Sequence, residues 1–497
     1  MLKELRTKMK INSKWFLVII IAVGIFLRLH NGAELFNYNH DQDLAGWVIK
    51  DVLINHHLRL IGQLTSTPGV FIGAFFYYLL IPFYLVFRMD PIGGIYLVAL
   101  IGAFAVWSCF YVFSKMFNEK VGLISALIYA LSPYIVFNDR EVVPTMPLML
   151  WSIWFFYSLH LILKGDQKKG FLLAAILIAF IWHINLGLVI LLPIYVVALI
   201  LSKKKLDFKV FLLSTAILIV LSAPLIFFEA RHGFSQTKAI FLSTTQGQGD
   251  ILRGTAKAAK IFDVVVKDVT NLIWGYPAGI PNSLAFWLVS AASLVVFLKG
   301  KIKKDIFYIM TLWFGITVGF FTLYSKTVSE YYLNSLTIVW VAVSAIILEN
   351  IIESKKFKYV GYLLLVGFSV LSFYRFFTYH ANRQGYVERK EVIAYIKADA
   401  LSRGFPCVSI SYITSPGYNL GYRYFIWLDS LKTKEISTKV PVYSVVFPLS
   451  GVDKSDKYFG SLGVINPDYS RYNEKTINES CQGYDFNLTD SMFGYTQ

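Results

Sequence analysis

A series of long apolar segments constrains this chain more than any other feature of its sequence. The hydrocarbon core of a bilayer is about 30 Å thick, and a helix of roughly 20 residues crosses it. Hydrophobic residues make up 56% of the 497 positions and charged residues only 16%, a balance that a soluble core of this size would not use. We therefore predict an all-α polytopic membrane protein. Its apolar segments are residues 15–27, 69–87, 92–114, 121–137, 145–163, 170–201, 210–228, 284–299, 306–324, 332–349 and 359–378.

The first apolar segment, Trp15 to Leu27, has the basic leader of a signal peptide, residues 1–14. A signal peptide ends in small residues at its cleavage site, whereas here Arg28 and His30 follow directly. We predict that the segment is retained as the first membrane helix and that residues 1–14 form a cytoplasmic basic tail.

The segment 170–201 is too long for one crossing. Lysines lie on both sides of it, at 168–169 and at 203–205. A tight hairpin that turns near His183 and Asn185 would place both basic ends on the same side of the membrane, so we predict two helices here.

Clusters of lysine and arginine predict the topology, because cytoplasmic loops carry an excess of both residues. If every apolar segment crossed, the cluster at 115–120 would lie outside and the later loops would have the wrong parity. Residues 69–87 follow Pro68, contain Pro82 and have the composition of a re-entrant or juxtamembrane helix. With this segment excluded, we predict about eleven transmembrane helices in a plasma membrane, with the N-terminus in the cytoplasm and the C-terminus outside.

This topology divides the chain into a transmembrane domain, residues 15–380, and an extracytoplasmic domain, residues 381–497. The outer segments of the first are 30–91, 138–144, 229–283 and 325–331. The second is predicted to be a small α/β domain with a helix at 388–401 and strands at 407–413 and 422–428. Cys407 and Cys481 both lie in this domain and could form one disulfide in an oxidising compartment.

The first outer loop contains two carboxylates, in the sequence His40-Asp41-Gln42-Asp43. A carboxylate at a membrane surface can act as a general base towards a hydroxyl or bind a divalent cation. An ordinary solvated loop can contain the same residues, so both interpretations stay open at this point.

Acids and cations recur at the other predicted outer helix ends. Arg140 and Glu141 follow the segment 121–137, where an arginine either pairs with a phosphate or extends to the membrane interface. Further candidates, each also compatible with a polar loop or a packed side chain, are His183, Arg231, His232, Lys326 and Glu330.

The charge pattern excludes some classes of function. The net charge is +16, but the basic residues lie in short clusters between apolar segments and not along one stripe, so we predict no nucleic-acid partner. An ion-coupled transporter would bury ionisable groups near the membrane midplane, and the predicted spans contain almost none.

The order of these features resembles the polyprenyl-phosphate-sugar-dependent glycosyltransferases of the C superfold, which are similar to glycosyltransferase family 39. This group includes the protein O-mannosyltransferases and the aminoarabinose transferase of lipid A. The resemblance covers residues 1–380. It is carried by the acidic motif at 40–43, the aromatic segment from Thr67-Pro68-Gly69 to Tyr77-Tyr78, Ser132-Pro133 with Asp139-Arg140-Glu141, the hairpin with His183, residues 228–234 and Tyr331-Tyr332-Leu333.

The resemblance implies a reaction and roles for residues. The donor would be a lipid-linked phosphosugar in the outer leaflet, and an acid of the first loop would act as base on the acceptor hydroxyl, with inversion at the anomeric carbon. This base would be Asp41, with Asp43 as the alternative, because many relatives have an Asp-Glu pair where this chain has Asp-Gln-Asp. The leaving polyprenyl phosphate needs positive charge nearby. The candidates for that role are Arg140, then Arg231, with His232 and Lys326; the remaining site candidates are His40, Glu141, His183 and Glu330.

The resemblance implies no required cofactor, although Asp41 and Asp43 could bind a divalent cation. The acceptor would be a glycan, a lipid or a protein. Two other functions stay open: a polymerase or ligase of lipid-linked oligosaccharides, and a transporter or flippase of lipid-linked sugars.

Overall fold

The computed structural model describes residues 2–204, 206–245, 252–274 and 282–489. The described chain is mostly helical. Its α-helices are α1 (Leu2–Leu29), α2 (His40–Ile54), α3 (Phe75–Val86), α4 (Gly93–Met116), α5 (Glu119–Leu131), α6 (Pro133–Asn138), α7 (Leu148–Leu163), α8 (Gln167–Ile184), α9 (Pro193–Ser202), α10 (Phe208–Leu221), α11 (Ala223–Arg231), α12 (Ser235–Thr245), α13 (Gly254–Trp274), α14 (Asn282–Leu298), α15 (Lys304–Leu323), α16 (Ser335–Glu353), α17 (Lys358–Phe377), α18 (Tyr386–Ser402), α19 (Arg423–Leu428), α20 (Glu474–Ser480) and α21 (Phe486–Thr489). The strands are β1 (Ile61–Leu64), β2 (Phe71–Gly73), β3 (Ser409–Thr414), β4 (Val442–Phe447), β5 (Lys457–Phe459) and β6 (Leu462–Ile465).

Among the described residues, five helices are long and apolar enough to cross a membrane: α4, α8, α15, α16 and α17. Helices α10 and α11 pass the same test together but are bent by 61° relative to each other, as in a broken span or a re-entrant loop. Shorter apolar helices lie at Phe75–Val86, Leu148–Leu163, Leu186–Ser202 and Ser283–Leu298. The prediction of a multi-pass helical membrane protein is confirmed, whereas the number of eleven crossings stays a prediction.

The membrane helices pack closely where small residues face each other. Helices α4 and α5 are antiparallel neighbours. A Cβ atom at Gly122 of α5 would lie 2.0 Å from Ser114 Oγ and 2.6 Å from the carbonyl oxygen of Phe110, both in α4. Membrane helices associate through such close approaches, because lipid supplies no hydrophobic force between them.

The segment 121–137, predicted as one span, is broken in the structure. Helix α5 ends at Leu131, and α6 begins at Pro133. Ser132 has ψ 118°, since a residue before proline is disfavoured in the helical conformation. The break redirects the chain before Asp139, so the prediction of one continuous helix was wrong.

The predicted hairpin at 170–201 is confirmed. Helix α8 ends at Ile184, and a 3-10 helix, Leu186–Leu191, leads into α9. The two basic ends lie side by side: a Cβ atom at Gly165 would lie 3.0 Å from Lys204 Cε, and the backbone N–H of Asp207 donates to Gln167 Oε1 at 3.3 Å.

The loop at 115–120 lies at the same end of the helical bundle as the loop after α16. Lys120 forms an ion pair with Glu353, and Asn118 Nδ2 donates to Glu349 Oε1 at 3.2 Å. The basic clusters at 115–120 and 355–358 therefore share one side, as the charge pattern predicted.

Helix α3 does not have the length of a span. Its 12 residues extend over about 18 Å, less than the hydrocarbon core of about 30 Å. Its first residue, Phe75, contacts His183 at the end of α8. Asp90, which follows α3, pairs with Lys390 of the C-terminal domain. The two termini of α3 therefore lie on the side of the helical bundle that carries the C-terminal domain. This agrees with the prediction that the segment 69–87 does not cross the membrane.

The C-terminal domain begins with α18, which packs on a four-stranded sheet of order β3-β4-β6-β5. Strands β3 and β4 are parallel, and the other pairs are antiparallel. The predicted strand at 422–428 is instead α19, because a short apolar run does not distinguish a strand from a buried helix. Cys407 and Cys481 form the predicted disulfide.

Candidate active site

A cavity of about 280 Å³ lies between α2, the β1–β2 hairpin, the residues that follow α6 and the 3-10 helix Glu330–Leu333. It is at the end of the bundle that carries the C-terminal domain. The polar residues lining it are Asp41, Gln63, Asn138, Asp139, Glu141, Thr145, Tyr331 and Asn334. Two predicted site residues from separate parts of the chain, Asp41 and Glu141, therefore face the same space.

Asp41 is positioned by the cap of α2. The side chain of Asn39 accepts the N–H of Asp41 at 3.0 Å, and Gln42 Oε1 accepts the N–H of Asn39 at 2.9 Å, which completes a capping box. Gln63 Nε2 donates to Asp41 Oδ1 at 3.4 Å. Burial raises the pKa of Asp41 above its ordinary value, against the charge of His40 and the Gln63 hydrogen bond. A carboxylate with a raised pKa is a stronger base.

Glu141 is the second carboxylate with a perturbed pKa in the cavity. Burial raises the pKa of Glu141 to about 7, opposed by the hydrogen bond from Asn37 and assisted by the charge of Asp41. The Asn37 Nδ2 atom lies 3.3 Å from Glu141 Oε1. At neutral pH this side chain therefore exists in both protonation states.

Asp139 lines the cavity but is held in a buried ion pair that the sequence analysis missed. Arg28 donates to Asp139 Oδ2 from Nη2 at 2.6 Å and from Nε at 3.0 Å, and Tyr129 donates to Asp139 Oδ1 at 3.1 Å. A Cβ atom at Gly102 would lie 2.3 Å from Arg28 Nε, so the glycine makes room for the guanidinium. The sequence contained one signal for this ion pair: Arg28 is a charged residue in the last turn of the membrane helix α1, where a buried charge requires a partner.

Arg140, the first candidate for phosphate binding, does not line the cavity. Its guanidinium donates to the carbonyl oxygens of Leu27 at 3.1 Å, His30 at 2.9 Å and Asn31 at 3.0 Å. It thereby satisfies the free carbonyl groups at the C-terminal end of α1.

Asp43, the alternative base, is also directed away from the cavity. Its side chain is fully buried, and Oδ1 accepts the hydroxyl of Tyr38 at 3.0 Å and the backbone N–H of Tyr424 at 3.0 Å. The structure therefore brings Asp41, and not Asp43, to the cavity.

Two amide side chains that the sequence analysis did not identify form part of the cavity wall. The Tyr134 hydroxyl donates to Asn334 Oδ1 at 3.1 Å, and Asn334 Nδ2 donates to Asn138 Oδ1 at 3.0 Å. Asn138 Nδ2 donates to the carbonyl oxygen of Tyr134 at 2.8 Å. This ring of hydrogen bonds holds both amides in one orientation beside the carboxylates.

His183 packs against the β1–β2 hairpin. A Cβ atom at Gly73 would lie 2.0 Å from His183 Nδ1, and the N–H of Phe75 donates to this nitrogen at 3.4 Å. This placement matches a packed, hydrogen-bonded histidine.

Arg231 and His232 are exposed at the C-terminal end of α11. The imidazole of His232 stacks on Phe228 with ring centroids 4.1 Å apart. The carboxylate of Glu229 accepts the N–H groups of Gln236 and Thr237 and so caps α12. Neither Arg231 nor His232 lines the cavity.

Lys326 and Glu330 lie on the segment that leads to Tyr331 at the cavity edge. The carbonyl oxygen of Lys326 accepts Lys257 Nζ at 2.6 Å, and Glu330 pairs with Lys267 at 2.9 Å. Within the described ranges, no three His, Cys, Asp or Glu side chains are grouped as a metal ion would require.

Comparisons with known proteins give a match to one family and several solved structures of similar fold. Residues 73–227 match the family described as dolichyl-phosphate-mannose-protein mannosyltransferase. ArnT from Cupriavidus metallidurans, solved bound to undecaprenyl phosphate, aligns over 93% of this chain and 99% of its own, with a TM-score of 0.57 and 9% identity. Its apo state gives a TM-score of 0.58 with the same coverage and identity. The apo oligosaccharyltransferase of Archaeoglobus fulgidus aligns over 84% of this chain and 63% of its own, with a TM-score of 0.51 and 13% identity.

No curated protein sequence matches this chain. At identities this low the structural likeness establishes the fold, which is that of ArnT, a multi-pass membrane protein. The match at 73–227 lies within the membrane domain and includes Asn138 and Glu141 of the cavity. The predicted resemblance to the polyprenyl-phosphate-sugar-dependent glycosyltransferases is thereby confirmed.

Proposed function

We propose that this chain is an integral membrane glycosyltransferase that moves a sugar from a polyprenyl-phosphate donor to an acceptor hydroxyl at the outer face of the membrane, with inversion. The observation that carries the proposal is the cavity, where Asp41 of α2 and Glu141 from a distant segment face two fixed amides, Asn138 and Asn334. ArnT was solved with undecaprenyl phosphate bound, which supports this class of donor.

In the proposed reaction, Asp41 accepts the proton of the acceptor hydroxyl as its oxygen attacks the anomeric carbon. The bond between this carbon and the phosphate oxygen breaks, and polyprenyl phosphate leaves with the electron pair. Burial assists the step because it raises the pKa of the Asp41 carboxylate. Asn138 and Asn334 would bind hydroxyls of the transferred sugar.

The leaving phosphate requires positive charge. Arg140 is held by backbone carbonyls, so the remaining candidates for contact with the phosphate are Arg231, His232 and Lys326. They lie outside the cavity wall, on the two segments that border the β1–β2 hairpin. Gly69 of the hairpin lies against Ala239 of α12, and Ser66 Oγ lies 2.9 Å from the Tyr332 hydroxyl. The reaction needs no cofactor, and a divalent cation at Asp41 would be revealed by loss of activity in a chelator.

The direct test is transfer of radiolabelled sugar from a panel of polyprenyl-phosphate donors to membrane extracts by the purified protein. The proposal expects a labelled product whose anomeric configuration is opposite to that of the donor. Transfer of preassembled glycans from diphosphate donors would favour a polymerase or ligase. Movement of the donor across the membrane of vesicles, without transfer of its sugar, would favour a flippase.

The proposed topology, with the N-terminus in the cytoplasm, predicts which engineered cysteines an impermeant reagent can label in intact cells. Asp453→Cys, exposed in the C-terminal domain, should be labelled. Glu119→Cys, exposed at the start of α5, should be labelled only after permeabilisation. Labelling of the native cysteines should be low, because Cys109 is buried and Cys407 is in the disulfide. The reverse pattern would contradict the topology.

The ionisation of Glu141 predicts a pH dependence of donor binding. The pKa of Glu141 is raised to about 7, so its carboxyl is neutral below this pH and negative above it. Since a new negative charge repels the donor phosphate, KM for the donor should rise by roughly threefold to tenfold as the pH increases from 6 to 8. In Glu141→Gln the rise should disappear. An equal rise in this variant would exclude Glu141 as its source.

A further inference from the structure

We propose that the C-terminal domain is a positioning element for sugar transfer: through Asp43 it holds α2 in place, and α2 holds Asp41 in the cavity. The inference rests on the proposed role of Asp41 as the base. It assigns Asp43 as a positioning residue that acts through the helix.

Asp41 and Asp43 lie in the first turn of the same helix but face different domains. Residues two apart are separated by about 200° around a helix axis. Asp41 accordingly lines the cavity, whereas the Asp43 carboxylate accepts the N–H of Tyr424 in the C-terminal domain. One short helix thus connects the proposed base to the domain interface.

The contact with the C-terminal domain continues along α2. A Cβ atom at Gly421 would lie 3.0 Å from the carbonyl carbon of Asn39, the cap of α2. A Cβ atom at Gly46 would lie 2.9 Å from the ring of Tyr424. The Arg423 guanidinium lies 4.8 Å from the centre of the buried Trp47 ring. These contacts extend over about two turns of the helix, from Asn39 to Trp47, so the position of the domain determines that of α2.

The domain has a second attachment that does not involve α2. The Tyr386 hydroxyl donates to Asp90 Oδ1 at 2.7 Å, and Lys390 pairs with the same carboxylate, in the loop between α3 and α4. This attachment supplies a matched control, because it can be weakened without altering Asp43.

The chemical consequence follows from the strength of the hydrogen-bond acceptor at position 43. One oxygen of the Asp43 carboxylate accepts hydrogen bonds from both the Tyr38 hydroxyl and the Tyr424 backbone N–H. An asparagine has the same shape, but its amide nitrogen is a donor and its single oxygen is a weaker acceptor. The helix would be held less firmly, and misplacement of a reacting group by about 1 Å can cost on the order of a hundredfold in rate.

The test compares Asp43→Asn and Gly46→Ala with Lys390→Met in the full-length protein. We expect kcat to fall by about tenfold to a hundredfold in Asp43→Asn, with KM for the donor within about threefold, and to fall less in Gly46→Ala. In Lys390→Met, kcat should stay within about threefold. Hydrogen exchange should increase across residues 40–54 in Asp43→Asn and Gly46→Ala, but not in Lys390→Met.

Unchanged exchange at 40–54 in Asp43→Asn would overturn the inference, and so would increased exchange with unchanged kcat. If Asp43→Asn does not fold, Gly46→Ala carries the same two readouts. Should the wild-type protein transfer no sugar, the proposed function fails, while hydrogen exchange still decides whether the C-terminal domain holds α2.

Discussion

Asp41→Asn is expected to lower sugar transfer at least about a hundredfold, the usual contribution of a general base. The amide is close in shape to the carboxylate and can keep the hydrogen bond from Gln63 at its oxygen, but it cannot accept the acceptor proton. The change should appear in kcat, because the sugar and the phosphate of the donor are assigned to other residues. The measurement is transfer from a radiolabelled polyprenyl-phosphate donor by the purified variant.

The control for this result is the second acid of the same helix turn. Asp43→Asn is also expected to lower kcat, but it should raise hydrogen exchange across residues 40–54, whereas Asp41→Asn should leave it unchanged. Glu141→Gln should keep most of the activity at pH 6, where Glu141 is already largely neutral. Wild-type rates in Asp41→Asn would show that this carboxylate is not the base.

Arg28→Met is expected to destabilise the membrane domain by about 3–5 kcal/mol, because it leaves Asp139 buried without its ion-pair partner. Both side chains are almost completely inaccessible to solvent, with relative accessibilities of 0% and 2%. The measurement is the thermal unfolding midpoint of the purified protein in detergent, and the yield of folded protein should fall in parallel.

Two variants define the cause of this loss. Arg28→Met with Asp139→Asn should recover most of the stability, since no uncompensated charge remains. Lys120→Met removes the ion pair with Glu353, which is largely exposed, and should cost about 1 kcal/mol or less. An Arg28→Met protein as stable as wild type would show that the pair contributes little. The activity of the double variant also tests whether Asp139 has a catalytic role. If it has one, the double variant should stay inactive although its stability is restored.

The sequence by itself determined the class of protein and predicted several features of how its helices are arranged. The length of apolar segments and the position of lysines are local properties that respond directly to the thickness and polarity of a bilayer. They predicted the hairpin at 170–201, the non-crossing segment at 69–87 and the common side of the loops at 115–120 and 355–358. The pair Cys407 and Cys481 followed from the scarcity of cysteine.

Only the tertiary structure decided which candidate side chains meet. Asp41 and Asp43 are equivalent by composition, and the docking of Tyr424, far along the chain, assigns one to the cavity and the other to an interface. Arg140 was chosen for its charge, yet the carbonyl groups at the end of α1 bind it. Asn334 gave no signal of its own, and its role depends on contacts with Tyr134 and Asn138.

The physical reason for this division lies in the range of the interactions. Membrane insertion depends on hydrophobicity summed over neighbouring residues, so a window of the sequence contains the information. Which side chain of a helix turn faces a cavity depends on the distant surface that packs against that helix. Residues 422–428 show the same dependence on distant contacts, because they form a helix packed against α2 where a strand was predicted. The cavity is a product of packing between segments that are far apart in the chain.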